Sequence, residues 1–259
     1  MFDLSWLAAC GVIVLAAALQ GITGFGFALI SMPLLLLIYD AHTSVALNMI
    51  VSFFSLSLLT YRCHRDILRP VTKNIFLGSI IGIPFGVYVF LNFNVNNLKL
   101  LASSVVTLFS LILILNGRIH KAGGDQKLEY KPEVYTSRRE KNWQRIIGSL
   151  SGFLTGSVSM PGPPVILFLN QRALPKDKFR ATTAAYFVLV YPTSLLALTI
   201  SGAVNSRIAL LALTLMPFAF LGNNLGVRLF PLVPQKIFQQ GVPLLVLATA
   251  LYSIVTTIF

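Results

Sequence analysis

Charged residues are scarce in this sequence of 259 residues, at 11% of the composition, whereas an average soluble domain carries about 25%. Hydrophobic residues make up 56%. A soluble domain of this composition would expose large apolar surfaces to water, which excludes that class. The apolar runs are long and unbroken, as in 98–115, whereas the strands of a membrane barrel alternate in polarity. The composition therefore predicts a helical membrane protein.

Acidic residues are absent from the interior of every long hydrophobic block, and the three histidines, His42, His64 and His120, fall between blocks. Intramembrane carboxylates mark proton relays and cation sites, so their absence favours a path for anions. The two cysteines, Cys10 and Cys63, match no metal or disulfide spacing. Zinc-protease, nucleophile-elbow and Walker motifs are also missing. We therefore expect no enzyme activity, no catalytic residue, no cofactor, no metal and no nucleic-acid partner.

Ten hydrophobic blocks follow one another along the chain. A membrane-spanning helix needs about 20 apolar residues. Six blocks approach or exceed that length: 43–60, 74–91, 97–116, 181–201, 208–230 and 237–258. The other four form two pairs interrupted by glycine and proline: 4–20 with 27–38, and 146–158 with 164–171. We predict that each pair is a broken, re-entrant helix pair, although the length of 4–20 also fits a helix that crosses fully.

Basic residues indicate how the chain is oriented. Of the 20 lysines and arginines, 18 lie in or beside the loops 62–73, 117–145, 172–180 and 228–236, and only Lys99 and Arg207 lie in the alternate loops. Cytoplasmic loops carry an excess of Lys and Arg, so these four loops are predicted to be cytoplasmic. The domain boundaries follow: a first transmembrane repeat at 1–116, a charged cytoplasmic linker at 117–145 and a second repeat at 146–259. The opening segment lacks the features of a cleaved signal peptide and is predicted to remain as a helix.

The two halves of the chain resemble each other. The tripeptide at 22–24 matches 154–156 at an offset of 132 residues, and 82–87 matches 222–227 at an offset of 140. Each half holds a broken pair followed by three spans, and because three is odd the second half should be upside down. The predicted fold is an all-α polytopic membrane protein with two inverted-topology repeats, the architecture of many secondary transporters.

The two helix breaks are the predicted binding site. Glycine and proline interrupt a helix, and in lipid the freed backbone groups must face protein or a wet cavity. The N–H groups at the start of the following short helix attract anions, and nearby hydroxyls add donors. The candidate residues at the first break are Gln20, Thr23, Gly24, Phe25 and Gly26. Those at the second break are Thr155, Gly156, Ser157, Ser159, Pro161, Gly162 and Pro163.

Other polar and small residues within the blocks have two interpretations. Asn48, Asn223 and Asn224 are secondary candidates for the site, and ordinary hydrogen bonds between helices explain them equally well. For the pairs Gly78 with Gly82 and Gly222 with Gly226, spaced four residues apart, close helix packing is the favoured interpretation.

The glycine and proline segments 21–33 and 152–164, set in two similar halves, resemble the sulfite exporter TauE/SafE family of bacterial transporters. The resemblance covers about 4–258. The sequence departs from the family's glycine-rich runs at Phe27 and in the Ser- and Pro-rich second segment. The resemblance implies a secondary transporter in the bacterial inner membrane that exports sulfite, organosulfonates or similar small anions by alternating access.

Two other functions fit the same residues. A carboxylate would use the same helix ends, so a transporter of another small organic anion is the first alternative. The second is a membrane subunit that binds a ligand without moving it, although paired breaks are more typical of transporters. The expected partners are a small anionic substrate and the lipid bilayer, and the sequence leaves the oligomeric state open, including a homo-oligomer.

Overall fold

The computed structural model describes residues 4–122, 137–170, 172 and 174–229. Within these ranges the chain forms α-helices, one short 3₁₀ turn at His64–Asp66 and no strand. The helices are α1 (Leu4–Thr23), α2 (Phe27–Ile38), α3 (Ala41–Arg62), α4 (Arg69–Asn92), α5 (Val95–Ala122), α6 (Arg138–Val158), α7 (Gly162–Asn170), α8 (Lys176–Ile200) and α9 (Ser206–Leu229). The all-helical prediction is confirmed for this part of the chain.

Several of these helices are long and apolar enough to cross a membrane. Among the described residues there are five: α1, α3, α4, α8 from Asp177 onward, and α9. A helix of 20 residues is about 30 Å long, the thickness of the hydrocarbon core. The chain is thus a polytopic membrane protein. The predicted span at 97–116 lies within α5, and the predicted span at 237–258 lies outside the described residues.

Helix α6 begins eight residues earlier than the hydrophobic block at 146–158 indicated. Its N-terminal cap is Ser137, whose hydroxyl accepts a hydrogen bond from the backbone N–H of Glu140 at 3.2 Å. Ser137 and Glu140 have the spacing of a capping box, which starts a helix irrespective of hydropathy. With 21 residues, α6 is about as long as a spanning helix. Helices α5 and α6 therefore extend from both ends into the predicted linker at 117–145.

The packing of α4 against α6 depends on glycine. A Cβ atom added at Gly82 would lie 1.8 Å from the carbonyl oxygen of Ser149, and one added at Gly152 would lie 2.3 Å from that of Ser79. The two backbones are therefore in direct contact, as small residues permit between membrane helices. This confirms the packing interpretation of Gly82.

Helices α1 and α9 pack in the same way. A Cβ atom at Gly222 would lie 2.3 Å from the carbonyl oxygen of Val14, and one at Gly21 would lie 2.5 Å from that of Asn223. In the second group of contacts, a Cβ atom added at Gly156 of α6 would lie 2.7 Å from the Ile83 carbonyl oxygen of α4. The 140-residue offset relates Asn223 to Ile83, so the two halves repeat this contact.

The repeated contact corrects the register of the first match. It pairs Gly21 with Gly156, an offset of 135 residues, instead of pairing Gly24 with Gly156. At the same offset Gly24 pairs with Ser159, and both have left-handed backbones, with φ of 78° and 58°. The packing contacts and backbone angles thus favour an offset of 135 here, whereas the sequence match at 132 aligns a Thr-Gly dipeptide.

The two halves exchange one helix each. Helix α9 packs against α1 and α3 of the first half, whereas α4 packs against α6 and α8 of the second half. Helices α3 and α8 then meet between the two groups. We call α1–α3 with α9 the first group, and α6–α8 with α4 the second group. The inverted orientation of the second half remains a prediction.

Candidate functional site

The first helix break lies between α1 and α2. Gly24 and Gly26 have φ of 78° and 92°, a left-handed conformation that side chains other than glycine rarely adopt. The hydroxyl of Thr23 accepts a hydrogen bond from the backbone N–H of Phe25 at 2.9 Å. The chain therefore leaves one helix and begins the next within three residues, and the local bonds fix the geometry of the turn.

The second break lies between α6 and α7. Ser159 ends α6 with φ of 58° and is the only described residue other than glycine with a positive φ. Its backbone N–H donates to the carbonyl of Thr155 at 2.9 Å, a common way to close a helix C-terminus. Helix α7 begins at Gly162, and prolines at 163–164 occupy its first turn, where a missing N–H costs nothing.

The two breaks meet at one cavity. Its volume is about 10 Å³, which is room for about one water molecule. The lining residues come from the first break, from the second break and from α8: Gln20, Gly26, Phe27, Ala28, Leu29, Met160, Pro161, Gly162, Pro163, Phe187 and Tyr191. The starts of both short helices thus border the same space, and two aromatic side chains of α8 close it.

Gln20 is the polar side chain that distinguishes this cavity. It is 1% exposed, and neither its amide nitrogen nor its amide oxygen has a hydrogen-bond partner. Leaving a buried amide without partners is unfavourable, by about 1–3 kcal/mol in mutational data. A water molecule or a polar ligand in the cavity would relieve this penalty, which makes Gln20 the candidate ligand-binding side chain of the cavity.

Two side chains from α3 and α8 hold the breaks in place. Asn48 of α3 donates from its amide nitrogen to the hydroxyl of Ser159 at 2.7 Å and to its carbonyl at 3.1 Å. Arg180 of α8 donates to the carbonyl of Gly21, beside the first break. Each break is therefore held by a polar side chain from the other group of helices.

The sequence model of one family, described as Sulfite exporter TauE/SafE, matches residues 9–253. The chain belongs to the sulfite exporter TauE/SafE family. No curated protein and no solved structure matches it. The family consists of membrane transporters, which agrees with the spanning helices of the described part and places this TauE/SafE protein in a membrane as a multi-pass protein.

Five of the predicted site residues line the cavity of this TauE/SafE protein: Gln20, Gly26, Pro161, Gly162 and Pro163. Thr23, Gly24, Phe25 and Ser159 shape the two turns beside it. Their positions bring the two predicted segments to one place, as the paired breaks indicated.

The remaining predicted residues lie in helix packing and not in the cavity wall. The hydroxyls of Thr155 and Ser157 donate to carbonyls one turn earlier in α6, at 2.7 and 2.8 Å. Gly156 packs against the backbone of α4. Asn223 donates to the carbonyl of Ser55 at 2.7 Å, and Asn224 is half-buried outside the cavity.

Seven residues in or beside the TauE/SafE cavity were not among the predicted site residues: the lining residues Phe27, Ala28, Leu29, Met160, Phe187 and Tyr191, and Arg180 beside the first break. Phe187 and Tyr191 line the cavity from α8, and nothing in their own sequence context marks that helix as the one facing the breaks. Arg180 was placed in a cytoplasmic loop. The proline at 175 and the acidic residue Asp177 are helix-start signals, and they would have placed Arg180 inside α8.

Proposed function

We propose that this TauE/SafE protein exports sulfite, an organosulfonate or a similar small anion, and that the anion binds where the two helix breaks meet. The observation that carries the proposal is Gln20, a fully buried amide without partners in the wall of a cavity formed by both breaks. Its amide nitrogen can donate to an oxyanion. The start of α2 adds backbone N–H groups with partial positive charge, and the start of α7 adds the N–H of Gly162, because the prolines at 161, 163 and 164 have none.

The surroundings of the cavity suit an anion better than a cation. Among the described residues, Glu140 is the only buried acidic side chain, and it forms an ion pair with Arg172 at 2.6 Å. Its place in the first turn of α6 sets it apart from the residues that line the cavity. A cation would meet no carboxylate there, whereas an anion would meet the amide of Gln20 and two helix N-termini.

The aromatic rings favour a ligand with an apolar side. Phe27, Phe187 and Tyr191 line the cavity together with Gln20. The sulfonate oxygens of an organosulfonate would lie toward Gln20 and the helix starts, and its carbon chain would lie against the rings. Sulfite would use the polar contacts alone.

The size of the cavity and the packing of the helices support transport by alternating access. A space of about 10 Å³ is room for about one water molecule, so the helices must separate for the anion to bind as well as for it to enter and leave. The glycine contacts between α1 and α9 and between α4 and α6 join backbones directly. The moving bodies are therefore the first and second groups of helices, each containing one break, and not the two halves of the sequence.

Transport into proteoliposomes tests the proposal. Vesicles containing the purified protein and preloaded with unlabelled sulfite should accumulate radiolabelled sulfite above the level of protein-free vesicles. Competition by taurine, isethionate, acetate and succinate then ranks the anion classes. Accumulation that only carboxylates inhibit would assign the protein to the alternative carboxylate cargo. Binding of these anions without any accumulation would support a ligand-binding subunit that does not transport.

A further inference from the structure

Arg180 is the only buried basic side chain among the described residues, at 6% exposure. It lies in the second turn of α8, within a helix that is long enough to span the membrane. Charged side chains within spanning helices are costly and usually have a function. The close packing of α8 does not by itself explain why this position is a cation.

The guanidinium lies directly beside the candidate site. Nη2 of Arg180 donates to the carbonyl of Gly21, the residue after Gln20. A Cβ atom at Gly24 would lie 2.9 Å from the Cα of Arg180, so the backbone of α8 also touches the turn. Asp177, one turn earlier, is near enough to interact with Arg180 electrostatically.

The first and second breaks differ in the charge of the side chain that contacts each of them from the opposite group of helices. Arg180 bridges from the second group of helices to the first break, and Asn48 bridges from the first group to the second break. Both contacts bridge the two groups of helices, but the side chain that reaches the first break is positively charged and the one that reaches the second break is neutral. The charge lies near the N-terminal end of α8, which overlaps the basic segment 172–180 at the face predicted to be cytoplasmic.

We propose that Arg180 binds the anion at the site, its guanidinium exchanging the Gly21 carbonyl for an oxygen of the arriving oxyanion. This inference rests on the proposed function. The guanidinium then binds the anion next to the Gln20 amide, and the hydrogen bond from α8 to the Gly21 carbonyl is released. Because the side chain that bridges to the second break is the neutral Asn48, the anion is attracted from the Arg180 side and leaves past an uncharged residue.

Initial rates of radiolabelled sulfite uptake into everted membrane vesicles, in which the cytoplasmic face is outside, test the inference. Arg180→Gln should raise the sulfite concentration for half-maximal uptake by roughly ten- to a hundredfold, the effect of losing one charged hydrogen bond. Arg180→Lys keeps the charge but loses the planar guanidinium with its paired N–H donors. It should raise the sulfite concentration for half-maximal uptake by about fivefold. The control is Arg65→Gln, an exposed basic residue on the neighbouring loop, which should change it by less than about twofold.

The outcomes separate the two proposals. A folded Arg180→Gln protein with wild-type half-saturation would overturn the role of Arg180 and leave the proposed function intact. If that variant is not recovered folded, Arg180→Lys decides, and a half-saturation equal to that of the wild type would overturn the inference. Wild-type vesicles that take up no more sulfite than vesicles without the protein would overturn the proposed function itself, and this inference with it.

Discussion

Asn48 holds Ser159 by two hydrogen bonds, at 2.7 Å to the hydroxyl and 3.1 Å to the carbonyl. Its amide oxygen accepts a further bond from the hydroxyl of Ser31 on α2. One amide thus connects the short helix after the first break to the turn at the second break. Asn48 was a secondary candidate for the site, and the structure assigns its amide atoms to protein partners that fix the geometry of that site.

Replacing Asn48 by alanine should destabilise the protein. The substitution leaves the carbonyl of Ser159 without its buried donor, which costs about 1–3 kcal/mol of unfolding free energy. Thermal unfolding in detergent measures the change. The matched control is Asn92→Ala, because Asn92 also donates to a carbonyl, that of Tyr88 at 2.8 Å, but is exposed. Equal losses in the two variants would contradict the structural role of Asn48.

Alanine variants at two glycines with nearly the same φ distinguish the cost of backbone strain from the cost of lost packing space. Gly24 and Gly202 have φ of 78° and 74°, so alanine at either position costs about 1–3 kcal/mol for the left-handed backbone. A Cβ atom at Gly24 would also lie 2.8 Å from the Arg180 carbonyl oxygen, whereas nothing lies within 4 Å of one at Gly202. Gly24→Ala should therefore lower the unfolding temperature more than Gly202→Ala, and should lower transport as well. Identical effects would mean that the first break does not pack against α8.

The contact between α4 and α6 predicts a large effect at Gly82. Alanine there would place Cβ 1.8 Å from the Ser149 carbonyl oxygen, so two backbones must separate and the fold should lose several kcal/mol, roughly the upper range for core substitutions. Gly11→Ala is the control, because a Cβ atom at Gly11 meets nothing within 4 Å and alanine favours helix by about 1 kcal/mol. The effect of each variant is measured by the yield of monodisperse protein and by its unfolding temperature. A Gly82→Ala protein as stable as the wild type would exclude this packing.

The start of α3 should make stability depend on pH. The Asp40 carboxylate accepts the Thr43 N–H at 3.0 Å as the N-terminal cap of α3. Partial burial opposes its ionisation, but the bonds from Thr43 and the nearby His42 outweigh burial and lower the pKa of Asp40 below its usual value. The stability that the ionised Asp40 gives to the folded protein is therefore fully present above the pKa that Asp40 has in the unfolded chain. It is lost as the pH falls through the lower pKa that Asp40 has in the folded protein.

The predicted pH dependence is checked by measuring unfolding temperatures of the wild type and of Asp40→Asn from neutral to acidic pH. The asparagine can still cap the helix but carries no charge. The difference between the two proteins should be largest at neutral pH and should shrink in acid. A difference that stays constant across the range would show that the Asp40 charge does not stabilise α3.

The sequence predicted the helices well where hydropathy and backbone chemistry agree. The block at 27–38 coincides with α2, because glycines precede it and Asp40 follows as the cap of the next helix. The block at 146–158 missed the charged first turns of α6, because hydropathy reports which residues suit lipid and not where a helix begins. The capping box of Ser137 and Glu140 contained that information.

The candidate site was predictable as two segments but not as a set of contacts. Paired glycine and proline breaks indicated that residues near Gln20 and Pro163 belong together, and both line the cavity. Gly156 was assigned to the site although it packs against α4, because a glycine sequence alone does not distinguish a turn from a helix contact. Arg180 and Tyr191 reach the breaks from α8 through the tertiary fold, which no local pattern reveals.

The most direct test of the account is the stabilisation of purified protein by sulfite, compared between wild type and Gln20→Ala. Ligand binding to the folded state stabilises it by about 2.7 kcal/mol at a concentration one hundred times the dissociation constant. The control is Gln144→Ala, which removes another buried amide, one that accepts a hydrogen bond from Asn74 at 2.8 Å on the α4–α6 contact. We predict that sulfite raises the unfolding temperature of wild type and Gln144→Ala, and that Gln20→Ala loses most of the increase. An equal increase in all three proteins would contradict a site at the two helix breaks.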